Sequence, residues 1–337
     1  MYLFLPILSV YFCYTNLYTM QEKIDCELLK AIINSPFNEI DYDYLLANDP
    51  AKIREKELNI MTTEESIPIP ISLSVKDIHI PSSESQRSIR LRVYRPKGKQ
   101  NLPVLLYFHG GAFIYGTPEQ YDFIFFRLAL DIDAVIVSVD YRLAPEHPFP
   151  AAMKDGYDTL LWLSESAGQI HGNKNNIIIC GSSAGATIAA SVTHYARDKE
   201  EVNIQHQYLL YPPTDHILET SSMHELAHAP IQTRKAAEWM WRHYLQHRIT
   251  QPLQYSVPLR EKDFTHLPNA TIIVCEWDPL KDEGKKYAEK LKNAGVSTTL
   301  LEIEGAVHAF DFFPCLLAET FYQQQVKLFK TILTPKS

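Results

Sequence analysis

Six continuous runs of apolar residues alternate with helix-forming stretches through most of this 337-residue chain. Runs rich in Val, Ile and Leu, bounded by turn residues, are typical of strands buried on both faces of a parallel sheet. The predicted strands are residues 104–108, 134–139, 177–180, 207–210, 271–275 and 298–303. The predicted helices are residues 121–130, 151–167, 184–198, 281–294 and 315–333. This alternation restricts the chain to an α/β architecture with helices on both faces of a mainly parallel sheet.

Two segments ahead of these runs have a different pattern. Residues 72–80 and 89–94 alternate polar and apolar side chains, and a polar stretch joins them. Such alternation predicts half-exposed strands that pair in antiparallel fashion. Together with the six buried runs, they predict a mainly parallel eight-stranded sheet.

Two further segments predict a cap over this sheet. Apolar residues recur at helical spacing within residues 22–48, before the first strand. Roughly 60 residues separate the fourth buried run from the fifth, where α/β connections usually need far fewer. We expect both segments to cover the carboxyl ends of the parallel strands, where open α/β sheets bind ligands. The predicted organisation is an apolar extension (1–19), N-terminal cap helices and a linker (20–70), and a catalytic domain (71–337) with a cap insertion at about 212–265.

Charge limits the partners of this chain. The formal net charge is -8, so no strong basic patch is available to neutralise phosphates or anionic lipids. We therefore expect a small neutral molecule as the partner, no nucleic acid and no stable membrane insertion. The sequence leaves a homodimer open.

The first 18 residues are apolar and rich in aromatic side chains. A signal peptide requires Lys or Arg ahead of its apolar run, and none is present here. The uninterrupted apolar part is also shorter than the roughly 20 residues that span a bilayer. A simple extension, or a start assigned upstream of the true one near Met20, is favoured over an anchor. We expect a cytoplasmic location, with export or anchoring through residues 1–18 as the alternative.

A short motif indicates a nucleophile. Gly181-Ser182-Ser183-Ala184-Gly185 follows an apolar run and precedes a small-residue helix, so it predicts a strand, a sharp turn and a helix. A serine at the apex of such a turn has a strained backbone, and the two glycines lack the β-carbons that would collide across it. Ser183 would then stand clear as a nucleophile. The alternative is an ordinary glycine-rich turn, so other catalytic groups must decide.

An oxyanion hole is the first of those groups. His109, Gly110 and Gly111 follow the first buried run, and two successive glycine amides there can point at developing negative charge. We predict that the amides of Gly110 and Gly111, with that of Ala184, hold a tetrahedral oxyanion above the nucleophile. His109 is interpreted as a structural hydrogen-bonding residue rather than a base.

A base and an orienting acid complete the set. His308 directly follows the last predicted strand, and Asp278 lies in the loop after the preceding strand, since Pro279 ends that strand. Asp282 and Glu283 are nearby alternatives, but we expect them to open the next helix, where acidic residues favour the helix dipole. Ser183, Asp278 and His308 occur in the chain order of α/β-hydrolase triads.

These motifs resemble the hormone-sensitive-lipase-like family of α/β-hydrolases, which includes many bacterial carboxylesterases. The resemblance rests on residues 109–113, 140–152, 181–185, 278–280 and 308–310. The chain departs from the family pattern at three positions. Ser182 stands where Asp is most usual, Ala112 where a third Gly is common, and Ala309 where Gly often follows the base. The resemblance implies that Arg142 and Glu146 support the oxyanion loop, the loop that begins at His109 after the first buried run.

The combined motifs predict a serine carboxylesterase that hydrolyses short- to medium-chain acyl esters through an acyl-enzyme, without a cofactor or metal. An amide or peptide hydrolase, or a non-catalytic small-molecule binder on the same fold, remains an alternative.

A zinc hydrolase is a weaker alternative. His224-Glu225-Leu226-Ala227-His228 matches the zinc-protease pattern H-E-x-x-H, in which one helix presents both histidines. Pro230 follows almost at once and would end or bend that helix. The motif also lies in the predicted cap insertion, away from the strand ends.

Overall fold

The computed structural model describes residues 22–63, 67–84 and 86–334. Its strands are β1 (Leu73–Pro81), β2 (Ser88–Pro96), β3 (Leu102–Phe108), β4 (Val135–Asp140), β5 (Gly172–Ser182), β6 (His206–Leu210), β7 (Asn269–Cys275) and β8 (Thr298–Ile303). They form one eight-stranded sheet in the order β1-β2-β4-β3-β5-β6-β7-β8. β2 pairs in antiparallel fashion with β1 and β4, and all other neighbours are parallel. The predicted fold class is confirmed.

The described helices follow the predicted pattern closely in the catalytic domain. They are α1 (Cys26–Ile33), α2 (Tyr42–Asn48), α3 (Pro50–Thr63), α4 (Asp122–Asp131), α5 (Ala151–Ser166), α6 (Ala184–Lys199), α7 (Ser221–Glu225), α8 (Arg234–Leu245), α9 (Lys281–Asn293) and α10 (Leu316–Leu333). The helix α3 was not predicted. It buries Ile53 and Glu57, so its inner face carries no apolar stripe that periodicity could reveal.

Strands β3, β4, β6 and β7 are buried on both faces, as continuous apolar strands require. The edge strand β8 is largely half-exposed, so the prediction that residues 298–303 form a buried strand was wrong in its burial. Along β3, Val104, Leu106 and Phe108 face one apolar cluster, which also contains residues of α5, α6 and α9. Leu105 and Tyr107 face the other, which contains residues of α1, α4 and α10. The parallel strands therefore lie between two helical layers, and the loops after their carboxyl ends share one edge of the sheet.

The two segments predicted to form the cap contact each other. On α8, His243 Nε2 donates to the Leu46 carbonyl of α2 at 2.7 Å. The Thr233 hydroxyl, which caps α8, donates to Asp43 Oδ1 at 2.6 Å. The α8 end of the insertion also meets the loop after β3, because the rings of Tyr244 and Phe113 stack with centroids 3.8 Å apart. The division of the chain into cap and catalytic domain stays a prediction.

The expectations for the apolar extension, residues 1–19, lie outside the described residues. None of the helices within the described ranges is long and apolar enough to span a bilayer. The location of the protein and its assembly state stay predictions.

Candidate active site

Ser183 occupies a strained turn between β5 and α6. Its backbone has φ 51° and ψ -128°, a region that costs a non-glycine residue about 1–3 kcal/mol and persists only where surrounding contacts impose it. Those contacts are backbone hydrogen bonds: the Ser183 amide donates to the Leu210 carbonyl at 2.9 Å, and the Ser183 carbonyl accepts from Ala186 at 2.8 Å. The strain sets the side chain apart from the helix α6.

The two glycines of the turn are fixed by space. A β-carbon on Gly181 would lie 2.3 Å from the Gly185 carbonyl oxygen. One on Gly185 would lie 2.1 Å from the Phe108 carbonyl oxygen and 2.3 Å from that of His109. The predicted collision across the turn is confirmed for Gly181, whereas Gly185 is required because the turn presses directly against the end of β3.

The three residues predicted as nucleophile, base and acid lie in one hydrogen-bonded row. His308 Nε2 is 2.8 Å from Ser183 Oγ, and His308 Nδ1 is 2.6 Å from Asp278 Oδ2. All three are buried, with exposures of 8% for Ser183, 4% for His308 and 1% for Asp278. Because a carboxylate only accepts, Nδ1 carries the proton and Nε2 is left to accept from the serine hydroxyl.

Asp282 and Glu283 lie in the first turn of α9, as expected. Asp282 accepts from the Ser222 amide at 2.9 Å. The buried Glu283 carboxyl accepts from the amides of Thr214 and Asp215, and burial raises its pKa well above the usual range. Both acids are thus engaged with the segment after β6, and neither is bonded to His308.

A second carboxyl group near His308 was missed from the sequence. Asp311 accepts from the Tyr211 hydroxyl at 2.8 Å, and the Tyr211 ring lies edge-on to the His308 imidazole with centroids 4.6 Å apart. Burial raises the pKa of Asp311 to about 6, although Tyr211 and His308 favour its charged form. No spacing rule singled out an acid three residues after the base.

The oxyanion loop differs from the prediction at Gly110. The Gly110 amide donates to the Tyr121 hydroxyl at 2.7 Å, so it is already engaged and does not fit the role of an oxyanion donor. The amides of Gly111 and Ala184, the other two predicted donors, have no hydrogen-bond acceptor among the described residues. The amide of Ala112, where φ is 52°, is equally free within that part of the chain. A run of glycines in the sequence could not show which amide a distant tyrosine would occupy.

His109 is structural, as interpreted from the sequence. Its Nδ1 donates to the Gly110 carbonyl at 2.7 Å, and its ring stacks on Tyr141 with centroids 4.2 Å apart. Tyr141 in turn donates its hydroxyl hydrogen to the His109 carbonyl at 2.7 Å. Burial lowers the pKa of His109 to about 4, so the ring is neutral at physiological pH.

Support of the oxyanion loop runs through a residue that the sequence did not indicate. Arg54 on α3 donates to the Ile114 carbonyl at 2.6 Å and to the Ala144 carbonyl at 2.7 Å. Glu146 accepts from the same guanidinium at 2.7 and 2.9 Å, so its predicted support reaches the loop through Arg54.

The expectation for Arg142 was wrong. Its hydrogen bonds go to the buried carboxylate of Asp155 on α5, to Glu84 and to the Ala151 carbonyl. Arg142 therefore ties the loop after β4 to the start of α5 rather than supporting the oxyanion loop.

The zinc alternative lacks the helix on which it depends. α7 ends at Glu225, before His228. His224 Nδ1 accepts from Arg234 at 2.6 Å and its Nε2 donates to Glu219 at 3.0 Å. No group of three or more His, Cys, Asp or Glu side chains is placed to hold a metal within the described ranges.

Comparison with known proteins gives consistent similarities. A family model described as an alpha/beta hydrolase fold matches residues 105–312. Esterase LipI of Mycobacterium tuberculosis is 35% identical over 298 residues, which cover 87% of this chain and 90% of that protein. Among solved structures, a bacterial heroin esterase has a TM-score of 0.84 at 30% identity, covering 93% of this chain and 99% of its own. An esterase of the archaeon Pyrobaculum calidifontis has a TM-score of 0.77 at 34% identity, covering 87% and 98%.

Proposed function

The chain belongs to the hormone-sensitive-lipase-like family of α/β-hydrolases, and from this premise we propose that Ser183, His308 and Asp278 are the catalytic triad of a serine carboxylesterase. Ester hydrolysis is the activity named for its relatives, and the enzyme acts on carboxylic esters. The fold alone does not specify chemistry, so the assignment of the triad rests on the site. The observation that carries it is the buried row of hydrogen bonds that ends on a strained serine.

The proposed mechanism uses each group where it lies. As Ser183 Oγ attacks the ester carbonyl carbon, His308 Nε2 takes the hydroxyl proton across 2.8 Å. Asp278 holds the imidazole in the tautomer that accepts this proton and stabilises the imidazolium that forms. The imidazolium then gives the proton to the departing alcohol. In the second half, His308 activates a water molecule that releases the acid and regenerates the serine.

The oxyanion is assigned to backbone amides. We place Gly111 and Ala184 there, as the sequence predicts, and we place Ala112 there instead of Gly110 because its amide is free. Removal of one such donor typically lowers the rate about 100- to 1000-fold, so the choice of amide matters for activity.

Replacement of Ser183 by Ala tests this function. We expect kcat/KM for p-nitrophenyl butyrate to fall on the order of 10⁵-fold or more, because the nucleophile is lost. Far-UV circular dichroism and thermal unfolding check that the fold survives. Ser191→Ala is the matched control. The Ser191 hydroxyl is buried in α6, the helix that follows Ser183, and it donates to the Thr187 carbonyl at 2.8 Å. Substantial ester cleavage by folded Ser183→Ala would overturn the assignment.

The acyl preference is the finer part of the proposal. We expect short to medium chains, because the buried Trp241 and Tyr244 side chains of α8 pack against Phe113 and so fill volume beside the oxyanion loop. A series of p-nitrophenyl esters from acetate to palmitate, with a matched anilide, measures this directly. The highest kcat/KM on the palmitate ester, or faster cleavage of the anilide than of the matched ester, would contradict it.

A further inference from the structure

Three consecutive residues after the oxyanion loop each bond to a different part of the molecule. They belong to the short 3₁₀ turn Pro118–Tyr121. Glu119 pairs with Arg90 of β2 at 2.5 Å. Gln120 donates to Glu57 of α3 at 2.9 Å, and Tyr121 turns inward toward the catalytic turn. This turn is thus held to the sheet and to α3 while its third side chain reaches the site.

The Tyr121 hydroxyl joins the two halves of the oxyanion hole. It accepts from the Gly110 amide at 2.7 Å and lies 2.5 Å from Ser182 Oγ. Tyr121 and Ser182 are 2% and 1% exposed. Since the amide can only donate, the phenol oxygen accepts there and its own hydrogen is available for Ser182. Burial raises the pKa of Tyr121, so the hydroxyl keeps that hydrogen.

Both residues that Tyr121 bridges lie close to the proposed oxyanion donors in the chain. Gly110 directly precedes the donor Gly111 on one side of the oxyanion hole, and Ser182 lies two residues before the donor Ala184 on the other. The donors accelerate the reaction only if they converge on one oxygen, and a misplacement well below 1 Å weakens such a site. The two sides are in contact, since a β-carbon on Gly110 would lie 3.4 Å from both the carbonyl oxygen and the Oγ of Ser182.

We propose that Tyr121 is a positioning residue for the oxyanion hole, which it sets by bridging the Gly110 amide and the Ser182 hydroxyl. The inference rests on the proposed function, because it assumes that the amides next to this bridge bind an oxyanion. It also gives Ser182 a role: the residue must accept a hydrogen bond from Tyr121. An aspartate at this position would accept the same bond, so the requirement is for an acceptor rather than for a particular side chain.

Replacement of Tyr121 by Phe removes the bridge and keeps the ring. The ring packs edge-on against Phe312 with centroids 4.9 Å apart and stacks on Phe125 at 5.4 Å, and both contacts survive the change. We expect kcat for p-nitrophenyl butyrate to fall about 10- to 100-fold while KM changes less than about threefold. Affinity for a trifluoromethyl ketone, which forms a tetrahedral adduct with an oxyanion, should fall by a similar factor. If Tyr121 only stabilised the fold, kcat and affinity for the ketone would not fall by the same factor.

Tyr287→Phe is the matched control, because this buried hydroxyl bonds to His194 at 3.1 Å, far along α6 from Ser183. It should leave kcat unchanged. Ser182→Ala serves as a second variant should Tyr121→Phe not fold, and it should also lower kcat and ketone affinity together. Ser182→Asp should retain both values within about threefold, because it restores an acceptor.

The results distinguish the positioning role from the proposed function. If Ser183→Ala stays active, the proposed function fails, and the bridge fails with it. If Ser183→Ala is inactive but folded Tyr121→Phe keeps kcat and ketone affinity within about twofold of the wild type, only the positioning role is overturned. A fall in kcat without loss of ketone affinity would also overturn it.

Discussion

The turn at Ser183 and the helices of the predicted N-terminal cap are held in place by different kinds of contact. Around Ser183 the contacts are between backbones: Gly185 has no room for a β-carbon, and the Ser183 amide and carbonyl are both bonded. The helices of residues 22–63, in contrast, use polar side chains: Arg54 bonds to the oxyanion loop, and Glu57 bonds to Gln120 in the turn after it. Backbone contacts fix one geometry, whereas side-chain contacts respond to substitution and to pH. We therefore expect substitutions in the turn to cause large losses of stability, and substitutions in the cap attachment to cause smaller ones.

The largest effect is expected from Gly185→Ala. Its β-carbon would lie 2.1 Å from the Phe108 carbonyl oxygen, and backbone of a central strand cannot move aside. We expect a loss of stability on the order of 4 kcal/mol, or no soluble protein, because the change forces overpacking at the end of β3. Urea unfolding measures it. Gly168→Ala is the control, since a β-carbon there meets nothing within 4 Å. Equal stability of the two variants would contradict the claim that backbone contacts around Ser183 fix its geometry.

A smaller effect is expected from the cap residue Glu57, and it depends on pH. Burial raises the pKa of Glu57 from 4.5 to about 7 in the folded protein. Between these values the unfolded chain releases a proton that the folded chain keeps, so stability falls as pH rises through this range and is constant above it. The shift corresponds to about 3 kcal/mol at most.

Glu57→Gln should therefore reduce the decline in stability between pH 4.5 and 7. The comparison must be made against the wild type, because Asp311, with a pKa raised to about 6, contributes a decline of the same sign in both proteins. Urea midpoints at pH 4.5, 6 and 8 measure the difference. Parallel curves for the two proteins would show that Glu57 does not titrate as expected.

The smallest effect is expected from Arg54→Met. The ion pair with Glu146 is 30% and 49% exposed, and such pairs contribute little, so the loss comes mainly from the bonds to the Ile114 and Ala144 carbonyls. We expect about 1–2 kcal/mol in stability and a several-fold lower kcat/KM. Arg127→Met removes a bidentate pair with Glu319 at the surface and should cost less than about 0.5 kcal/mol. If Arg54→Met lost no more stability or kcat/KM than Arg127→Met, the bonds of Arg54 to the two carbonyls would not hold the oxyanion loop in place.

The same contrast explains what could be predicted from the sequence. The sheet, the five helices of the catalytic domain and the row of Ser183, His308 and Asp278 follow from local periodicity and from loops after consecutive strands. Each of these signals is read from a few consecutive residues, although the three side chains themselves are up to 125 positions apart. The steric role of Gly181 follows from the turn itself, whereas that of Gly185 depends on the end of β3.

Features that the sequence did not reveal depend on long-range pairing. The helix α3 has a polar inner residue, Glu57, and so lacks the apolar pattern of a buried helix. The Gly110 amide was expected to face an oxyanion, but it is bonded to Tyr121, eleven residues away in the chain. Arg54 reaches Glu146 across 92 positions. A single sequence gives no pattern for such pairs, because each partner alone has the composition of an ordinary surface or core residue.

The most direct test of the central claim is to trap the nucleophile. Diethyl p-nitrophenyl phosphate should release one p-nitrophenolate per chain, abolish esterase activity and add one diethylphosphoryl group, which peptide mass spectrometry locates. We predict a single adduct on Ser183, with none on the adjacent Ser182, and no adduct in the Ser183→Ala variant. An adduct on Ser182, or full activity after the reagent has been consumed, would contradict the assignment of Ser183 as the nucleophile.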